Sequence, residues 1–206
     1  MPPSYTVRAE VVDIFRDTPQ GDDLFLVDTN VWYWTAYAKA AGGARQYQIS
    51  SCPKYLQMAK TAGAVLTWCG LSLAELAHLI ETTERKIYET AKGLTLQEKE
   101  YRHDYPGERA NDVVPEVQAA WAVVENIGMS IDLLVNAPCT TQALYRFANQ
   151  PLGGYDLFLL EAMARAKVTQ ILTDDGDFVT VPGIKVFTNN LNVIRAAKAQ
   201  GRLVVR

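Results

Sequence analysis

Six acidic residues of this 206-residue chain stand where chemistry could be done: Asp28, Glu75, Asp156 and the cluster Asp174, Asp175 and Asp177. Asp28 closes the unbroken apolar run Leu24-Phe25-Leu26-Val27. Glu75 falls in the first turn of a helical pattern that follows Ala64–Trp68. Asp156 opens another helical pattern behind Gly153-Gly154, and the cluster follows the apolar stretch Thr169–Thr173. Carboxylates brought together repel and resist ionising together. A hard cation removes that conflict. Mg²⁺ and Mn²⁺ take oxygen ligands, and they can polarise a phosphoryl oxygen and acidify a water. Each acid also has a plainer reading. Asp28 could cap the next helix, Glu75 could close a capping box with Ser72, Asp156 could answer a helix macrodipole, and the cluster could be a turn.

The elements that must carry these acids alternate. An apolar run without alternation suits a strand buried on both faces, as in a parallel sheet covered by helices. Strands are expected at 24–28, 64–68, 129–135, 169–173 and 184–187. Helices are expected from Val31 to about Ala41, stopped by Gly42-Gly43, and from Ser51, with Pro53 in its first turn, to about Thr61. Others should cover 72–91, a short stretch from the capping-box spacing Thr95-Leu96-Gln97-Glu98, 112–126 with Pro115 near its start, 140–149, 156–167 and 190–199. Residues 5–16 form a short element of unclear type, and 17–23 are turn-rich. This order predicts one α/β domain with a mainly parallel sheet. In such sheets ligands bind beyond the carboxyl ends of the strands, where all six acids fall.

Composition narrows the function classes. The net charge of −3 argues against a broadly basic nucleic-acid coat. Three widely spaced cysteines fit reduced thiols in a cytosol, and with two histidines they give poor support for zinc. No signal-peptide core or membrane-length apolar stretch is present. The densest basic and aromatic stretch, 84–110, is interleaved with acids and reads more simply as a solvated helical face than as an RNA-contacting one. Phosphate-binding Gly-rich motifs and Gly-x-Ser-x-Gly are absent. Trp32, Trp34, Trp68 and Trp121 read as core packing, with stacking by Trp32 or Trp34 secondary.

The ordered set Val27-Asp28-Thr29-Asn30, Leu73-Ala74-Glu75-Leu76, Tyr155-Asp156 and Leu172-Thr173-Asp174-Asp175-Gly176-Asp177-Phe178 resembles the motif series of PIN-domain nucleases over residues 24–188. The resemblance implies a three-layer α/β/α sandwich in one domain, with 1–23 as an N-terminal extension and 84–110 as a helical insertion. It implies Mg²⁺- or Mn²⁺-dependent phosphodiester cleavage, usually of RNA, while the cysteine usage and the lack of a signal-peptide core point to the cytoplasm. Carried over, Asp28, Glu75, Asp156 and Asp175 are the catalytic acids and metal ligands. Asp177 is an additional ligand, and Asp174 is a neighbour facing elsewhere. Thr29, Asn30 and Thr173 would orient the carboxylates. Many members are toxins of toxin–antitoxin pairs, and PIN-like proteins often pair. RNA, a protein inhibitor and a second copy are thus the expected partners, with Arg45, Lys39 or residues of 84–110 holding the RNA backbone. Two rivals stand beside this reading. One is a catalytically weak scaffold on the same fold that binds RNA or protein. The other is a different Mg²⁺ phosphoryl hydrolase such as a haloacid-dehalogenase-like phosphatase, against which Asn30 counts because that chemistry needs Asp-x-Asp after the first strand.

Overall fold

In the computed structural model, which describes residues 4–42 and 44–206, seven strands form one sheet in the order β4-β3-β2-β5-β6-β1-β7. The strands are β1 (Glu10–Asp13), β2 (Leu24–Val27), β3 (Val65–Cys69), β4 (Met129–Ile131), β5 (Gln170–Leu172), β6 (Lys185–Thr188) and β7 (Leu203–Val204). Every pairing is parallel. The helices are α1 (Thr29–Ala36), α2 (Gln46–Ala62), α3 (Leu71–Lys92), α4 (Glu98–Asp104), the single turn α5 (Pro106–Glu108), α6 (Val114–Ile127), α7 (Ala137–Asn149), α8 (Asp156–Ala166) and α9 (Leu191–Ala199).

Successive residues of a strand face opposite sides of a sheet, so a strand apolar at every position needs a core on each side. β2 meets that need: Phe25, Leu26 and Val27 are all fully buried. Phe25 and Val27 enter a core with α1, α2, α3 and α6. Leu26 enters a second core with α8 and α9. The result is an α/β/α sandwich of three layers.

Several boundaries differ from the sequence reading. Residues 10–13, within the supposed extension 1–23, form β1 and lie between β6 and β7 in the sheet. β1 has only four residues, with Val11 and Val12 facing opposite cores, too short a run to show a period. β4 covers only 129–131 of the expected 129–135. α1 ends at Ala36, and a 3-10 turn at Ala40–Gly42 follows. Gly43, expected to stop that helix, and residues 1–3 of the extension lie outside the described residues. α2 begins at Gln46 and runs through Pro53. There the ring removes one backbone donor, so the carbonyl of Ile49 lacks its usual partner. The capping box expected at Thr95 and Glu98 is instead made by Gln97, whose backbone N–H donates to Glu100.

The segment 84–110 spans more than one element. Its first nine residues complete α3. Its guanidinium groups are engaged: Arg102 and Arg109 both bind Glu81, and Arg85 binds Glu89 and the carbonyl of Leu96. Among the described residues, no helix is long and apolar enough to cross a membrane.

Candidate functional site

The chain steps from β2 outward to β3 and β4, then returns to the other side of β2 for β5 and β6. The reversal makes β2 and β5 neighbours, and the crevice beyond their carboxyl ends is where open α/β sheets bind ligands. Register decides which side chains meet there. Val27 pairs with Leu172, and the N–H of Asp28 donates to the carbonyl of Leu172 at 3.0 Å. Asp28 therefore sits beside Thr173, whose hydroxyl donates to Asp28 Oδ2 at 2.6 Å.

Asp28 stands at the N-cap of α1 but makes no side-chain cap. Its backbone carbonyl accepts from Val31 and Trp32 and starts the helix, leaving the carboxylate free for other partners. Asn30 Nδ2 reaches the same Oδ2 at 3.4 Å. Thr29 is fully buried, and its hydroxyl has no hydrogen-bond partner. The Asp28 side chain is itself buried, and burial pushes its pKa up to about 7, against the Thr173 hydrogen bond and with Glu75 and Asp175 adding repulsion.

Glu75 lies in α3, which starts at Leu71 after Gly70. Ser72 is therefore inside the helix, and the Ser72–Glu75 capping box does not form. Glu75 Oε2 and the Ser72 hydroxyl are both buried without a partner. Asp156 is the first residue of α8. That helix precedes β5 and runs antiparallel to it, so its N-terminus returns to the carboxyl edge. Burial, then the charges of Asp28, Asp175, Glu75 and Asp177, push Asp156 up to about 8.

The cluster after β5 divides. Asp174 turns toward α2, where its Oδ2 accepts from Gln48 at 2.7 Å and Tyr47 at 3.0 Å. Its Oδ1 is buried with no partner. Burial raises its pKa against these hydrogen bonds. The N–H of Asp175 donates to the hydroxyl oxygen of Thr173 at 2.9 Å, and Asp175 Oδ1 accepts from the N–H of Asp177 at 2.8 Å. One threonine thus links Asp28 to the loop carrying Asp175. Asp177 is raised by burial and by Asp175.

Charge compensation separates this edge from the rest of the molecule. Among the described residues seven carboxylates are buried: Asp17, Asp23, Asp28, Glu81, Glu84, Glu161 and Asp174. Five have a cation within 2.7 Å: Asp17 and Asp23 share Arg206, Glu81 holds Arg102, Glu84 holds Lys39, and Glu161 holds Arg146. Among the described residues no Lys, Arg or His pairs with Asp28 or Asp174, nor with Glu75, Asp156, Asp175 or Asp177. As the side chains lie, no three of the described acids, histidines or cysteines close into a metal-ligand set. The acids of this edge influence one another through charge, and among them Asp28, Asp174 and Asp175 accept hydrogen bonds from protein donors.

No protein-family model matches the sequence. No curated protein matches it either.

Three neighbours of the site were not foreseen. Tyr5 lies against the acidic loop: a Cβ on Gly176 would fall 2.3 Å from its ring. Burial and the charges of Asp177, Asp175 and Asp174 raise its hydroxyl pKa. Tyr47 and Gln48 anchor Asp174 from α2, a helix whose sequence signals placed its start after them. All three cysteines are free and buried. Burial pushes the Cys52 thiol up to about 12, so it packs beside the site as a neutral group. Lys39, expected to hold RNA, is engaged by Glu84 and Glu116 at 2.6 and 2.9 Å.

Proposed function

We propose that the protein is a metal-dependent nuclease of the PIN type that cleaves RNA phosphodiester bonds. Asp28, Glu75, Asp156 and Asp175 would hold Mg²⁺ or Mn²⁺, with Asp177 as a further ligand. The observation that carries this reading is the charge imbalance. Elsewhere the buried acids are neutralised by Lys or Arg, and at the switch point a set of acids has no ion-pair partner among the described residues. An oxygen-only donor set with a buried, unpartnered Glu75 Oε2 fits a hard divalent ion. When bound, such an ion supplies Lewis-acid polarisation of a phosphoryl oxygen and acidifies a water for in-line attack.

The chain's own groups prepare that site. The Thr173 hydroxyl and the Asn30 amide fix the orientation of Asp28. The N–H of Asp177 fixes Asp175. With Asp28 near 7 and Asp156 near 8, protons compete with the ion, so cation affinity rises through this range. A protein inhibitor and pairing of two copies belong to this reading through the family resemblance, and a cytoplasmic location through the three free cysteines.

A second reading is favoured by one observation: the acids do not close into a ligand set as they lie. It is a PIN-fold scaffold that binds RNA without cutting it. The deciding experiment exposes a labelled RNA panel to purified protein in Mn²⁺, in Mg²⁺ and in EDTA, beside Asp28→Asn. Metal-dependent cuts that vanish in the variant support the nuclease. RNA bound but never cut supports the scaffold. Equal cutting by both proteins refutes a role for Asp28.

A further inference from the structure

A cavity of about 830 Å³ opens between α1, α2 and α3, beside the carboxylate edge rather than in it. Trp34 of α1 forms one wall, and Leu79 and Ile87 of α3 form another. Gln48 also lines it, and the same side chain donates to Asp174 Oδ2. Gln48 therefore touches both the cavity and the acidic loop. Its two lysines differ. Lys39 is tied to Glu84 and Glu116, whereas Lys86 is exposed and makes no ion pair among the described residues. Trp34 packs against the core along part of its surface, which holds the ring in place, while Trp32 is fully buried and unavailable.

We propose that this cavity takes unpaired bases of single-stranded RNA, with Trp34 stacking on a base and Lys86 meeting a backbone phosphate. The inference rests on the nuclease reading and names the form of RNA that reaches the acids. Bases of any identity stack on aromatic rings, and base-sized groups suit aliphatic and aromatic walls. A volume of this size is ample for them. Duplex RNA keeps its bases in its own stack, whereas loops and single strands can splay them out. An uncommitted ammonium neutralises one phosphate. An apolar peptide helix would satisfy the walls but leave Lys86 unanswered.

Binding is measured in EDTA, so that it is read apart from cutting. The probe is a fluorescein-labelled oligouridylate, compared with a blunt RNA duplex. Anisotropy gives affinity, and tryptophan emission reports stacking. The single strand should quench emission and the duplex should not. Trp34→Leu should abolish most of the quench and weaken binding roughly 5- to 100-fold. Lys86→Gln, at an exposed position where folding is not at stake, should lower the salt dependence by about one phosphate contact. If the parent cuts RNA in Mn²⁺ while both variants bind and cut like the parent, the cavity assignment is overturned and the nuclease reading stands. If Trp34 and Lys86 govern binding but nothing is cut, the nuclease reading falls and the cavity assignment stands. Equal quenching by the duplex overturns the single-strand assignment. A dimer in sedimentation whose Trp34 is shielded without RNA assigns the cavity to a second copy and overturns the proposal.

Discussion

Replacing Asp28 with Asn should make the metal-free protein more stable at pH 8, although it removes a residue placed at the centre of the site. The Asp28 carboxyl is buried, and its pKa is pushed from 3.8 to about 7. An acid whose folded pKa lies above its unfolded one binds its proton more tightly in the native state. The penalty is therefore small below about pH 4, grows between the two pKa values, and is complete above the folded one. Three pKa units correspond to about 4 kcal/mol against the native state at pH 8 and about 2 kcal/mol at pH 5. Asn keeps the shape and can still accept the Thr173 hydroxyl. It loses the contact that Asn30 makes to a charged oxygen, worth about 1 kcal/mol. The expected net gain is about 3 kcal/mol at pH 8 and under about 1 kcal/mol at pH 5. For a chain of this size, that is a rise in Tm of about 7 °C at pH 8 and about 2 °C at pH 5. Thermal melts in EDTA at both pH values give the comparison. Adding Mn²⁺ at pH 8 should stabilise the parent and leave the variant unmoved. A variant less stable than the parent at pH 8, or one whose gain is equal at both pH values, would refute the claim that Asp28 is an ionised, uncompensated carboxylate.

Two further substitutions probe how the site is framed. Arg206→Ala removes the guanidinium shared by Asp17 and Asp23, which are almost fully buried; although burial pushes Asp23 upward, Arg206 holds its carboxyl below the usual range. Two stranded acids should cost about 3–5 kcal/mol, read from the urea midpoint, and a loss below about 1 kcal/mol would contradict the assigned role. Gly176→Ala places a methyl 2.3 Å from the Tyr5 ring; it should cost about 1–2 kcal/mol, and the cost should disappear in a Tyr5→Ala background. Equal losses in both backgrounds would show that Tyr5 does not press on the acidic loop.

The pairing of buried acids with cations also bears on how the two faces of α3 are used. Glu81 and Glu84 lie on its buried side and gather Arg102, Arg109 and Lys39. Breaking any such pair leaves a charge without compensation in a poorly solvated place. These acids and bases therefore hold α3 and α4 together, and they withdraw much of the basic stretch 84–110 from any ligand. Lys86, facing the cavity from the same helix, is exempt.

The sequence alone determined that β2 is a central strand, because four apolar residues in succession need cover on both faces, and it placed every candidate acid just beyond a strand or at a helix start. The alternation of elements was enough for a parallel α/β sandwich. What the sequence could not carry was pairing between distant segments. β1 and β7 have four and two residues, too few to display a period, and only their ladders to β6 and to each other define them. The capping alternatives for Asp28 and Glu75 were legitimate on local spacing. They were removed by β2–β5 register, which sets Asp28 against Thr173, and by the earlier start of α3. The division of Asp174 from Asp175 likewise depends on where α2 begins, since Tyr47 and Gln48 draw Asp174 aside. Local spacing fixes which residues can do chemistry; burial and register, which belong to the whole fold, decide which of them lack a partner.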